Sequence, residues 1–318
     1  MNKRLVFILF SLIIIFSITV YVARQDIKNI LEKVSENFQM PTQQVIESNT
    51  TTIGQVQVHF LDIGQGDASL IIFPNGEKML VDCSIDARIL ESLGRVLSFR
   101  DHTIDYLVAT HPDQDHFGGC VDVLKRYDVK HIYFNEFKKE GSRYLPVFFE
   151  TVKAEPHSDY IEVNKEQSIT IASTTIHFLY PDAPLARLEP IQNIQEQKIS
   201  NNTSVVFLLQ FGTQKVLFTG DAEVETENYL LKKYGNKLDS DVLKVGHHGS
   251  KSSSSQAFLN VVTPKIATIS AGKNNDYGHP SLRTLKKLER VQAKIWRTDQ
   301  KGDILITITP QSVYVNQH

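Results

Sequence analysis

The stretch His111-Pro112-Asp113-Gln114-Asp115-His116 constrains this chain more than any other, because it sets two imidazoles and two carboxylates within six residues. Crowded carboxylates repel one another unless a cation or bound protons neutralise them. Imidazole nitrogens and carboxylate oxygens are both ligands of divalent first-row metals, and four in six residues surround an ion with little chain entropy to lose. The apolar run IDYLVAT reads as a strand that delivers the motif to a sheet end, and Gly118-Gly119 lets the chain turn into a helix. The competing reading is a polar turn whose side chains cap that helix.

Other acids and histidines recur where apolar runs stop. Asp82 ends KMLVD, Asp221 ends KVLFTGD, His247 and His248 follow DVLKVG, and His279 stands in NDYGHP. Functional groups gather where buried strands give way to loops. Each has a structural explanation when taken singly: Asp221 caps the helix near Glu223, or His279 bonds a loop carbonyl. Their joint recurrence favours one shared site.

From Val56 onward, short apolar runs predict strands: VQVHFLDIG, ASLIIF and KMLVDC at hairpin spacing, then ITIASTTIHFLY, TSVVFLLQFG, KVLFTGD, DVLKVG, KIATISA, AKIWRT and GDILITIT. Helices are predicted over DARILESLGRVLSF, EVETENYLLKKYG and SLRTLKKLERV, the second closed by Gly235. Two strand-rich halves with helices between them predict an α/β (α+β) sandwich of stacked mixed sheets covered by helices, not a parallel dinucleotide-binding sheet. The glycines and Asp67 of LDIGQGDASLI fit a hairpin turn or a support for a metal ligand equally well. A formal net charge of −2 gives no bulk attraction for nucleic acid, so a polyanion would need a local patch. Cys83 and Cys120 form no CxxC pair and are read as buried free thiols, with a disulfide between them as the alternative.

The N-terminus carries Lys3 and Arg4, then an uncharged run from Leu5 to Ala23. At ~1.5 Å per residue this run is long enough to cross a ~30 Å hydrocarbon core. Residues 1–24 are therefore expected to be a signal anchor with its N-terminus in the cytoplasm, 25–54 a helical and polar linker, and 55–318 an extracytoplasmic catalytic body. The alternative is secretion after signal cleavage.

In order, FLDIGQGDASLI, LVD, THPDQDHFGG, NNTSVVFLL, FTGD, LKVGHHGSKSSS and NDYGHP resemble the metallo-β-lactamase superfamily, most closely its ComEC-type competence branch. The resemblance spans about Val56 to Ile308 and implies a four-layer αββα sandwich with a dinuclear site. It implies His111, Asp113 and His247 on one metal, Asp115, His116 and His279 on a second, and Asp221 bridging them. Asp82, Asp67 and Asn202 are expected behind the ligands, and His248 is ranked below His247 as a ligand. Three departures stand out: Asp113 replaces a histidine, Asn201-Asn202-Thr203-Ser204 stands where many members carry another histidine ligand, and Ser281 stands where relatives often carry a second histidine.

Two divalent ions would bring +4 against three aspartates and a bridging hydroxide, a near-neutral sum that suits a partly buried site. The ions are expected to be Zn²⁺ or Mn²⁺. The expected chemistry is hydrolysis by metal-activated water, with Asp115, His248 and Lys251 as catalytic candidates. Ser250, Lys251, Lys273 and Asn274 are candidates for gripping phosphate. Trp296 beside Arg297 and Lys301 fits either base stacking or the core. The substrate implied is DNA, or RNA, outside the cytoplasm. The alternatives are a cell-surface phosphorylcholine or teichoic-acid esterase and a non-catalytic binding module. No protein partner is deducible.

Overall fold

The computed structural model describes residues 54–316 except Pro156 and Asn193; the expected anchor and most of the linker lie outside the described residues. Fifteen strands are described: β1 (Val56–Phe60), β2 (Ser69–Ile72), β3 (Lys78–Val81), β4 (Thr103–Val108), β5 (Asp128–Phe134), β6 (Asp159–Glu162), β7 (Gln167–Ile171), β8 (Thr174–Tyr180), β9 (Val206–Phe211), β10 (Gln214–Phe218), β11 (Val242–Lys244), β12 (Ile266–Ile269), β13 (Lys294–Arg297), β14 (Ile304–Ile308) and β15 (Val313–Asn316). They form an eight-stranded sheet, β15-β14-β1-β2-β3-β4-β5-β6, and a seven-stranded sheet, β13-β12-β11-β10-β9-β8-β7.

Alternation builds the layers. In β1, Val56, Val58 and Phe60 point into the space between the sheets, where they join Phe207, Leu209, Val216 and Phe218 of the second sheet. Phe60 and Phe218 stack across that space with ring centroids 6.0 Å apart. The opposite face of the first sheet sends Leu70, Leu80 and Leu107 against Ile89, Leu124 and Phe148 of its covering helices. The second sheet sends Val206, Leu208 and Leu217 against Leu230, Phe258 and Leu288. Strands buried on both faces explain why SVVFLLQF reads as a continuous apolar run.

Topology places the site. Strands β3 to β6 run parallel to one another, as do β10 to β13. The metal-ligand candidates leave the carboxyl ends of β3, β4, β10, β11 and β12, the usual position for ligands in sheets of this kind.

The expectation of free thiols is corrected. Cys83 and Cys120 form a disulfide with 5.1 Å between their Cα atoms. Cys83 follows β3 and Cys120 opens the helix after the histidine motif, so the bond ties the two loops together. The reason for Gly118-Gly119 is close approach rather than turning: Gly118 has helical φ, and a Cβ there would sit 2.0 Å from the Ile85 carbonyl oxygen. Gly66 is the same case with φ 124°, pressed against the Asp115 carbonyl.

Candidate metal centre

Asp82 organises the first two histidines. It lies just past β3 and is almost fully buried. One oxygen accepts from the Thr110 N–H at 2.8 Å; the other accepts from the Thr110 hydroxyl at 2.8 Å and from His116 Nδ1 at 2.7 Å. With its proton on Asp82, the Thr110 hydroxyl accepts from His111 Nδ1 at 3.1 Å. One carboxylate therefore fixes both rings by their Nδ1 atoms and turns both Nε2 atoms inward. His248 reaches the same state differently, donating Nδ1 to the Ser270 carbonyl at 3.1 Å.

The inner half of the site converges on Asp221. His116 Nε2 lies 3.2 Å from Asp221 Oδ1, and His248 Nε2 lies 3.4 Å from Asp221 Oδ2. His248 Nε2 is also 3.2 Å from Asp115 Oδ2 and 3.3 Å from His116 Nε2. Burial opposes charge on every one of these groups, and proximity overrules it. Asp221 is held well below the ordinary carboxylate range by His116 and His248, and Asp115 is lowered by His248 and His116. His116 is raised by Asp221 and Asp82, and His248 by Asp221 and Asp115. A proton on Nε2 and a metal ion satisfy the same carboxylates, so metal binding here releases protons.

Asp67 stands behind these rings. Its Oδ2 is 3.8 Å from His116 Nδ1 and 3.9 Å from His248 Nδ1, the sides facing away from Asp221. The buried Lys244 ammonium bonds it. Donor atoms of Asp67, His116, Asp221 and His248 all lie within 4.8 Å of one another, but Asp67 sits on the anchoring side.

The outer half is looser. His111 is fully buried, with its pKa lowered by burial and by His116, so it stays neutral. Asp113 takes the N-cap position of the Gln114–Phe117 helix yet makes no side-chain cap bond. Its Oδ1 instead meets the Lys139 ammonium at 2.8 Å and the Ser200 hydroxyl. His247 donates Nδ1 toward Glu223 Oε1 at 3.2 Å and leaves Nε2 3.9 Å from Asp221. His279 borders this half, 5.4 Å from His247 between ring centroids. Burial, His247 and His248 lower it to about 4, and Asn275 holds its backbone N–H and carbonyl at 2.9 and 2.6 Å.

Several expected roles change. His248, not His279, meets Asp115 and His116; left-handed φ at both His247 (48°) and His248 (52°) brings both Nε2 atoms to the same Asp221 oxygen, His248 the nearer. Asn202 does not back the ligands: its Oδ1 accepts from the Glu223 and Thr226 N–H groups and caps the Val224–Tyr234 helix. That cap is the alternative role the sequence offers Asp221. Ser250 is buried with its hydroxyl bonded to Ser252, so it does not face a phosphate. Lys251, Lys273 and Asn274 are exposed, and Lys251 lines a groove that includes none of the ligand candidates. Trp296 joins the core between the sheets and Arg297 is bonded to Asp299, which removes the stacking alternative. Thr110, Lys244, Glu223 and Asn275 were not singled out from the sequence. A lysine inside the apolar run VLKVG was the available signal for Lys244.

The residues fit a divalent cation. His111 Nε2 is buried without a hydrogen-bond partner, and the mixed nitrogen and oxygen donors suit zinc or manganese.

Comparison with known proteins agrees with the fold. The metallo-beta-lactamase superfamily model matches residues 61–273. The chain is 32% identical over 276 residues to ComE operon protein 3 of Bacillus subtilis, covering 78% of this chain and 32% of that one. It is 30% identical to Recombination protein 2 of Haemophilus influenzae, covering 82% and 30%, and to Competence protein ComA of Neisseria gonorrhoeae, covering 76% and 30%. The chain thus spans about a third of the length of the curated relatives it matches. Among solved structures, the metallo-beta-lactamase fold protein YhfI from Bacillus subtilis superposes with a TM-score of 0.51 at 13% identity, covering 83% of this chain and all of that one. CmlA, a diiron beta-hydroxylase from Streptomyces venezuelae, gives 0.51 at 14%, covering 80% and 54%.

Proposed function

This chain belongs to the metallo-β-lactamase superfamily, and from that premise we propose that it is a metal-dependent hydrolase of nucleic-acid phosphodiesters. One observation carries the reading: three buried rings, His111, His116 and His248, are each held by Nδ1, which leaves His116 Nε2 facing Asp221, His248 Nε2 facing Asp221 and Asp115, and His111 Nε2 buried without a hydrogen-bond partner. His111, Asp113 and His247 would hold one ion, Asp115, His116 and His248 a second, with Asp221 between them. A bound divalent pair supplies Lewis acidity toward phosphoryl oxygens and a nucleophilic water near neutral pH.

The chain's own residues do the positioning. Asp82 and Thr110 set the rings, and the Lys244–Asp67 pair backs them with matched charge. His279, neutral and clamped by Asn275, offers a ring nitrogen to a substrate oxygen at the mouth. The nucleic-acid assignment follows relatives named for competence and recombination. An extracytoplasmic location is proposed on the Cys83–Cys120 disulfide, which suits an oxidising compartment. Among the described residues no helix is long and apolar enough to cross a membrane, so a membrane tether rests on the N-terminal sequence.

The test loads the full chain with Mn²⁺ or Zn²⁺ and offers single- and double-stranded DNA, RNA and a choline phosphodiester. Cleavage of nucleic acid, lost in Asp115→Ala, is expected. Cleavage of the choline ester alone would overturn the substrate, and activity surviving Asp115→Ala would overturn the chemistry.

A further inference from the structure

A groove of about 480 Å³ runs beside the site, between the serine loop after His248 and the helix Leu282–Arg290. Three bonds at one-turn spacing lash the loop to that helix. The Ser281 N–H donates to the Gly249 carbonyl at 2.9 Å, the Thr284 hydroxyl to the Ser250 carbonyl at 2.8 Å, and Lys287 Nζ to the Ser253 carbonyl at 2.9 Å. The loop carries His247 and His248 at one end, and the helix starts three residues after His279. The groove therefore lies alongside the segments that carry these histidines, without being lined by them, and follows the helix for roughly 13 Å, at ~1.5 Å rise per residue.

Its lining is basic. Lys251, Arg283, Lys286, Lys287 and Arg290 face it, and no acid does. Lys251, Arg283, Lys286 and Arg290 are exposed and form no ion pair among the described residues. The acids nearby are committed elsewhere. Glu223 bonds Ser252, Glu227 accepts the Ser254 and Ser255 N–H groups, and Glu225 pairs with Lys198; Glu289, exposed, shares the helix. Five clustered cations on a chain of net charge −2 form a local patch that the whole molecule's charge does not predict. Cations without an acidic partner, in a groove beside a proposed phosphodiester-cleaving site, are placed to meet further phosphates of the same strand.

We propose that this groove binds the sugar-phosphate backbone of a single nucleic-acid strand beyond the scissile bond, with Arg283, Lys286 and Arg290 as its principal contacts. The proposal rests on the phosphodiesterase reading above and extends it. The test measures binding of a fluorescent oligothymidylate to the full chain across a salt series, with chelator present to prevent cleavage. The comparison protein is the triple variant Arg283→Glu, Lys286→Glu, Arg290→Glu. A neutral variant, Arg283→Gln, Lys286→Gln, Arg290→Gln, with unchanged circular dichroism, replaces it should it misfold.

Binding is expected to weaken at least tenfold in the variant. The slope of log affinity against log salt should fall by about 2, since each lost single-strand phosphate contact removes about 0.7. Hydrolysis of bis(p-nitrophenyl) phosphate, too small to reach the groove, should be unchanged. No binding by the unmodified chain, or equal binding and slope in the variant, overturns the groove. Tighter binding of poly(glycerol phosphate) overturns its assignment to nucleic acid. If the metal-loaded chain leaves the small diester intact while the binding difference holds, the hydrolase reading fails and the groove stands.

Discussion

The two halves of the candidate centre are built from the same residue types but held to different standards. In the inner half, His116 and His248 each have a dedicated acceptor for Nδ1, and their Nε2 atoms lie within 3.4 Å of Asp221. Asp115 joins them at 3.2 Å. In the outer half, Asp113 already has the cationic partner Lys139, and His247 stands 3.9 Å from Asp221. The inner half holds its ligands in place and exchanges ring protons for a cation, whereas the outer half must first part Asp113 from the Lys139 ammonium. The physical lesson is that ligand identity alone does not set affinity: the anchoring of each ligand, and its competing partners, also count.

Breaking the shared element should have the largest effect. Asp221→Ala serves both halves, so activity should fall to background and retained metal below one ion per chain, measured by elemental analysis after dialysis. Next comes the exchange of roles between His248 and His279. His248→Ala should remove the inner ion and lower turnover by on the order of 10²-fold or more, while His279→Ala keeps both ions; equal metal loss in the two variants would erase the distinction.

Asp82→Ala should cost about 10–100-fold in metal affinity, because it frees His116 and the Thr110–His111 relay together. A loss confined to one half would show that the relay does not operate. Lys139→Ala should sharpen the contrast most gently. Lys139 is partly exposed, so its hold on Asp113 is screened and contributes about 0.2–1 kcal/mol. Outer-ion affinity should rise by about 1.4-fold to fivefold, with the inner ion unchanged, in competitive titration.

Much of the inner half was legible in the sequence. Asp115 and His116 share a motif, and Asp82 and Asp221 end apolar runs. The layered sandwich was legible too, since alternating and doubly buried strands write themselves into apolar periodicity. What escaped depends on backbone conformation and long-range pairing. Adjacent His247 and His248 cannot be ranked without their left-handed φ angles. Asn202 reads from the sequence as a residue behind the ligands, because its capping of a helix about twenty residues later leaves no local mark. The disulfide ranks below free thiols in the sequence because 37 residues separate Cys83 from Cys120, and only the meeting of two loops brings them together.

The most direct measurement is calorimetric titration of the metal-free full chain with Mn²⁺, repeated on His248→Ala. Two binding events of unequal affinity are expected, with proton release accompanying the tighter one and that event lost in the variant. A single event that survives His248→Ala, or no binding at all, would contradict the preorganised inner half on which the proposed chemistry depends.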